Sequence, residues 1–491
     1  MSQLLGRIMT VGILFAVVFT ALAHGAVEAW SSALLKLLIV VLGLLWVVKI
    51  AIDRKISLFI PQAALPLVCL LGLGLAQSIA WTADDGRRVS LSMDVEATRA
   101  AVTMIFCLLV VFLLAANLFN RRSRLTGLAW FFTIYGFAMA VFALIQHFTW
   151  NGRLYWVRPA FQLTSAFGPF VNHNTYAGYM ELLMMVPAGV FLTHAVRGPA
   201  RYFCGFAAVI MALSAIVSLS RGGMISIVAG ILFLAVMSTF VVRVWRRDRP
   251  EEEVDVEDDP GGGFERAHRR RHSRDRRHPS RAFSSGMVSP IIAVCVIVAA
   301  IGLGIFWLGP ASVLDRLSQG KLVGDDPESE TFFSSRGLVW RDTVRMIGGN
   351  PVLGVGLGAY QTAYPIYTAR DGTLNVREAH NDYLQILADG GVVGGALALW
   401  FIFITLRDIN RAARSRDRLM AGLGFGCGAG IFAVLVHSIF DFTLQIPSNA
   451  LLFLLFAAVT ARLGAATARS ESGLATRPGV ASPVEARAAS Y

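Results

Sequence analysis

The chain has 491 residues, 55% of them hydrophobic and only 15% charged, with a formal net charge of +12. An average soluble domain carries about a quarter charged residues, so these values and a mean hydropathy of +0.59 exclude a soluble globular enzyme. The excess positive charge suggests nucleic acid as a partner only until its distribution along the chain is followed.

Apolar runs of about 20 residues, each enough to cross roughly 30 Å of hydrocarbon, recur along the whole length. They fall at about 8–28, 33–52, 58–80, 100–119, 126–147, 176–196, 202–219, 223–242, 287–309, 384–406, 418–439 and 449–466. This predicts an all-α polytopic membrane protein with about 12 transmembrane helices. The first run lacks a small-residue cleavage site and reads as an uncleaved helix. Alternating the loops from a cytoplasmic N-terminus gathers Arg54/Lys55, Arg121/Arg122/Arg124, Arg197/Arg201, Arg246/Arg247/Arg249 and Arg407/Arg411/Arg414/Arg416 on one side. The positive-inside rule makes that side cytoplasmic, and topology then explains the net charge. Cys69, Cys107, Cys204, Cys295 and Cys427 all fall inside predicted spans and read as small apolar packing residues.

Residues 1–242 thus hold spans 1–8, 287–309 span 9, and 384–466 spans 10–12. Between them, 243–286 runs from an acidic block (251–259) through Pro260 and three glycines into Arg269-Arg270-Arg271. Like-charge blocks with Gly and Pro have too little apolar surface to fold, so a disordered cytoplasmic linker is expected; attachment of its basic half to anionic lipid is the competing reading. The tail 467–491 is also expected to be disordered. Three outer stretches remain, 81–99, 148–175 and the long loop 310–383. Within that loop, Leu338, Arg341, Asp342 and Arg345 share one helical face, and Trp340, Val344 and Ile347 form an apolar stripe. The spacing predicts a short amphipathic helix over 336–347, stopped by Gly348-Gly349-Asn350-Pro351.

Ionisable residues are scarce inside the spans, and Lys36, Glu181, His194 and His437 are expected near span ends. Polar residues gather at the outer boundary instead, at His173/Asn174, Arg221, Arg336/Arg341, His380/Asp382 and Asp441. That pattern suits chemistry at the membrane surface. Arg221 sits in Ser220-Arg221-Gly222-Gly223, a Gly-rich turn that brings backbone amides and a permanent cation to an anion; a snorkelling arginine that fixes helix depth is the structural alternative. Arg336, behind Ser334-Ser335, is expected at a helix N-terminus with Ser335 as cap, itself an anion site, or else on a solvated helix face. With Arg221 it would clamp a diphosphate. Arg341 and Arg345 follow as accessory cations, Arg341 counted with Asp382 among the substrate-binding residues. His380 is the candidate general base, or a helix cap together with Asn381/Asp382. Gly354-Val355-Gly356-Leu357-Gly358 has no βαβ context and is no dinucleotide site. No Asp-x-Asp occurs in the outer segments, so neither a catalytic metal nor another cofactor is expected.

Several ordered stretches resemble the O-antigen ligase/polymerase superfamily. They are Gly168-Pro169-Phe170-Val171-Asn172-His173-Asn174, Ser220-Arg221-Gly222-Gly223, Ser335-Arg336-Gly337-Leu338-Val339-Trp340-Arg341-Asp342, Asn350-Pro351-Val352-Leu353-Gly354-Val355-Gly356, Ala379-His380-Asn381-Asp382-Tyr383, and His437-Ser438 through Asp441-Phe442. The resemblance implies a GT-C-like, metal-independent glycosyltransferase in the bacterial inner membrane, using an undecaprenyl-diphosphate-linked glycan at the periplasmic face, with the 310–383 loop there. It implies that Arg221 and Arg336 hold the diphosphate and that His380 is the base. Related chains often have Arg-Asn-His where this one has His173-Asn174, so His173 receives no role. The acceptor would be a sugar hydroxyl on lipid A core or on a growing polysaccharide, with a polysaccharide export complex as a further partner. The alternative is a transporter or flippase for lipid-linked sugars or small anions. Transporters show a midplane site and broken helices in paired halves, and neither is evident in the sequence.

Overall fold

A computed structural model describes residues 1–54, 58–82, 84, 88–159, 166–247, 332–368 and 376–475. The ninth expected span (287–309), the charged linker from 248 onward, the start of the long loop (310–331) and the tail from 476 lie outside the described residues. Within them the chain is helical apart from two short hairpins, Ala80–Thr82 with Arg88–Ser90 and Arg153–Leu154 with Arg158–Pro159. Thirteen α-helices occur in the described residues: α1 Ser2–Leu22, α2 Ala29–Asp53, α3 Ala64–Gln77, α4 Val95–Leu118, α5 Arg122–Phe148, α6 His173–Leu192, α7 Pro199–Val217, α8 Arg221–Arg247, α9 Phe332–Gly349, α10 Tyr360–Tyr367, α11 Asp382–Ala413, α12 Arg418–His437 and α13 Pro447–Ala475. Ten are long and apolar enough to cross a membrane. The protein is therefore an all-α, multi-pass membrane protein. The run expected as a third span is shorter, the 14-residue α3, because Pro61 and Pro66 delay its start and the first hairpin follows at Ala80.

The bundle is organised around α6 and α12. Over their apolar windows these helices are 94% and 83% buried, whereas α2 is 17% buried and presents most of its surface outward. Close approach explains the glycines of α12: a Cβ on Gly426 would lie 2.6 Å from the Met185 carbonyl oxygen of α6. Small residues at such a crossing let backbones pack together where lipid supplies no hydrophobic drive.

Helices α9 and α10 form a cap on α11, with Val339, Met346, Val355, Tyr360 and Tyr364 as a second, smaller core. The Gly354-Val355-Gly356-Leu357-Gly358 run explains how the cap is attached. Helix α11 is broken at Gly391 (φ 62°, ψ −161°), and the 351–358 segment threads into the break. Val355 and Gly356 donate to the freed carbonyls of Ala388 and Asp389 at 2.9 and 3.0 Å. On the other side of the break, Val392 and Val393 donate to Pro351 and Val352 at 2.8 and 3.3 Å. Only glycine fits at 391, since a Cβ there would lie 2.3 Å from Val352 backbone. One broken helix is thus present among the described residues, a feature not evident in the sequence. Its freed groups are satisfied by protein, and in this respect it differs from the ion-coordinating breaks of transporters.

Candidate active site

His380 stands at the junction between cap and bundle. Asn381 caps α11, its Oδ1 accepting from the Tyr383 and Leu384 amides at 2.9 and 3.0 Å while its Nδ2 donates to the Ile439 carbonyl at 2.9 Å. The residue before that cap turns sharply, and His380 accordingly has φ 51°, a left-handed conformation that non-glycine residues rarely hold without a local reason. From the cap side, Trp340 Nε1 donates to the Ala379 carbonyl at 3.0 Å. Backbone on both flanks of the imidazole is therefore fixed.

The partner of His380 comes from the turn between α12 and α13. The amides of Phe440 and Asp441 donate to the His437 carbonyl at 2.8 and 3.0 Å, which turns Asp441 toward the cap. Asp441 Oδ1 meets His380 Nδ1 at 3.2 Å and accepts from the Phe442 amide at 2.9 Å. The Phe442 ring packs edge-on against the imidazole, with centroids 4.9 Å apart. Burial would raise the Asp441 pKa, but the His380 hydrogen bond and the Arg336 charge outweigh it and hold the carboxyl down at about 2. An ionised Asp441 assigns the Nδ1 proton to His380 and leaves Nε2 as the basic nitrogen. His380 is 34% exposed and Asp441 5%, so the imidazole faces outward and the carboxylate lies behind it.

Arg336 of α9 completes the cluster. Its Nη1 donates to the Phe440 carbonyl, and its Nη2 lies 3.7 Å from Asp441 Oδ2. Burial and the like charge of Arg221 lower its pKa, against the opposing pull of Asp441. Arg221 is the first residue of α8, where Ser220 Oγ accepts from the Gly223 amide at 3.1 Å. The two glycines let this helix start approach closely: a Cβ on Gly222 would lie 3.0 Å from the His437 ring and 3.2 Å from Phe440 Cβ. The chain thus brings Arg221, Arg336 and His380 to one turn, that of residues 437–441.

Helix α9 begins at Phe332, so Ser335 lies inside it and is not its cap, and Arg336 stands one turn in from the first residue. Arg341 is exposed. Five residues beyond Arg336, it points about 140° away around the helix and does not join the cluster. Asp382 is buried; its Oδ2 accepts from Ser438 Oγ at 2.7 Å and the Leu444 amide at 3.0 Å, tying the start of α11 to the Asp441 turn. Asp441, noted only as a boundary residue in the sequence, is the central carboxylate. Glu181 also differs from expectation. It is the ninth of twenty residues in α6 and is fully buried against His437, 3.0 Å from its Nδ1. An ionisable group two turns into a span is tolerated because a partner is supplied.

An apolar groove of about 230 Å³ starts at the same turn, with Asp382, Ser438 and Gln445 at its polar end and Leu109, Phe401 and Phe453 among its walls. Among the described residues no three His, Cys, Asp or Glu side chains come together as a metal-ligand group.

Residues 206–399 match the family model described as O-Antigen ligase. The matched segment runs from α7 into α11 and includes Arg221, Arg336 and His380, while Asp441 lies beyond it. Compared with curated proteins, the chain has no match.

Proposed function

We propose that this chain, whose residues 206–399 match the O-Antigen ligase family model, transfers or polymerises glycan from an undecaprenyl-diphosphate-linked donor onto a sugar hydroxyl. The observation that carries the reading is the buried Asp441 carboxylate shared by His380 and Arg336, at the turn where an apolar groove begins. In this mechanism His380 Nε2 takes the proton of the acceptor hydroxyl, and Asp441 stabilises the imidazolium that forms. The acceptor oxygen bonds to the anomeric carbon as the bond from that carbon to the diphosphate oxygen breaks. The electron pair leaves on the diphosphate, whose growing charge Arg336 and Arg221 stabilise. The proton leaves from His380 after glycan departure, and the prenyl chain occupies the groove.

Arginine in place of a divalent cation makes the reaction metal-independent in this proposal. Placing the site at the periplasmic face of the inner membrane is supported by the arginines at the opposite end of the bundle. The acceptor is lipid A core for a ligase or the growing chain for a polymerase. Reconstitution in liposomes with an undecaprenyl-diphosphate glycan and a glycan acceptor tests the reading. Elongated or transferred glycan is expected, with equimolar release of undecaprenyl diphosphate and undiminished rate in EDTA. Donor left intact in the presence of acceptor, or moved across the bilayer unchanged, overturns it.

A further inference from the structure

The bundle carries a polar cavity at the end opposite the candidate active site. Helix α4 connects the two. Near its start the Asp94 carboxylate accepts from Thr362 Oγ1 of the cap at 2.7 Å, and its last turns reach the cavity through Asn117 and Leu118. Twenty-four helical residues separate these ends, about 36 Å at 1.5 Å per residue. The cavity measures about 470 Å³ and is lined by Lys49, Arg121, Arg124, Arg462 and Arg469 against a single carboxylate, Asp53, within the size range of small-ligand sites.

Asp53 is already engaged by Lys49. Among the described residues no carboxylate lies within ion-pair reach of Arg121, Arg124 or Arg462. These side chains are nevertheless held in place. Arg124 Nη1 donates to the Leu118 carbonyl at 2.8 Å, and its Nη2 lies so close to α1 that a Cβ on Gly6 would approach it to 2.8 Å. The Arg462 guanidinium stacks over the Phe59 ring at 5.0 Å, and that ring's backbone is clamped by Asn117, which donates to the Phe59 carbonyl at 2.9 Å and accepts from its amide at 2.8 Å. Arg462 and Arg469 are two turns apart and share a helix face. Snorkelling arginines that merely fix helix depth splay toward water. Here cations from α2, α5 and α13 converge on one cavity, where a bound anion would relieve their mutual repulsion.

We propose that this cavity binds the phosphate-bearing headgroup of an anionic membrane phospholipid. Guanidinium forks suit a phosphate diester, and the cavity lies at the ends of membrane-spanning helices with Trp46, Ile50 and Leu58 on its flank, where acyl chains continue outward. Basic pockets between helix ends are where such headgroups are recognised in membrane proteins. The site is independent of the reading of His380 and its neighbours.

Native mass spectrometry of the purified full chain tests this, after equilibration in detergent with equal amounts of phosphatidylglycerol and zwitterionic phosphatidylethanolamine. About ten-fold greater retention of phosphatidylglycerol is expected, lost in the double variant Arg121→Gln/Arg462→Gln and kept in Arg345→Gln at the other end. Displacement of the retained lipid by millimolar inorganic phosphate would support recognition through the phosphate group. Equal retention of the two lipids by the unaltered protein overturns the proposal whether or not the variant folds. So does selective retention that survives in the double variant, or stabilisation by inorganic phosphate with no lipid retained.

Discussion

At one end of the bundle Arg336 is 12% exposed, bonded to a backbone carbonyl and set against the buried Asp441 carboxylate. At the other end Arg121, Arg124 and Arg462 surround a cavity with no carboxylate in reach among the described residues. The residue type is the same and the surroundings are opposite. Where arginine is neutralised by protein, its position is fixed before any ligand arrives, and the same carboxylate also orients a neighbouring histidine. Where no carboxylate is in reach among the described residues, the proposed counter-charge is a lipid phosphate. Arginine content alone therefore does not separate the proposed catalytic cluster from the proposed lipid site; the carboxylate beside it does.

The contrast predicts unequal costs of substitution. The largest is at Arg336. Arg336→Ala breaks one of the two side-chain pairings of the buried Asp441 carboxylate, leaving His380 as the other, and is expected to lower unfolding stability by about 3–5 kcal/mol as well as abolish transfer, read by thermal unfolding in detergent and by product formation. Next is the hinge that holds the cap over the site. Gly391→Ala forces a side chain into a left-handed position against Val352 backbone, at about 3 kcal/mol, seen as early proteolysis of the 332–368 cap. The Asp441 pairing is also measurable by pH. Its carboxyl lies at about 2 in the folded chain, against an ordinary value of 3.8. The folded state therefore gains stability that is complete above pH 3.8 and lost as pH falls through 2, about 2 kcal/mol in all. Unfolding measured from pH 5 to pH 2 should be steeper for the unaltered protein than for Asp441→Asn. The smallest effect belongs to the opposite end, where Arg462→Gln removes a ring contact and no ion pair, at most about 1 kcal/mol in lipid-free detergent. A loss at Arg462 as large as that at Arg336 would erase the distinction.

The sequence foretold the spans well because hydropathy over about 20 residues is a local property. The helix over 336–347 was legible for the same reason, from the period of Trp340, Val344 and Ile347. Arg221, Arg336 and His380 were recognisable as polar residues at span boundaries, and the structure gathers them at residues 437–441. Partners were not legible. Nothing near Asp441 in the chain announces His380, 61 residues away, and nothing near Glu181 announces His437, 256 residues away. The break at Gly391 was hidden because Gly390-Gly391 sits in an apolar run that averages as continuous helix; its meaning depends on the 351–358 segment docking there. Arg341, read from the sequence as an accessory cation, is set by helix geometry on a different face from Arg336.

The central claim is that His380 acts as the base through Nε2, oriented by Asp441. Transfer rate by His380→Ala, in liposomes with donor and acceptor at saturation, tests it most directly. A fall of about 10²- to 10⁴-fold is predicted, with thermal unfolding close to that of the unaltered protein because the imidazole is 34% exposed. A well-folded His380→Ala protein that transfers glycan at the unaltered rate would contradict the account.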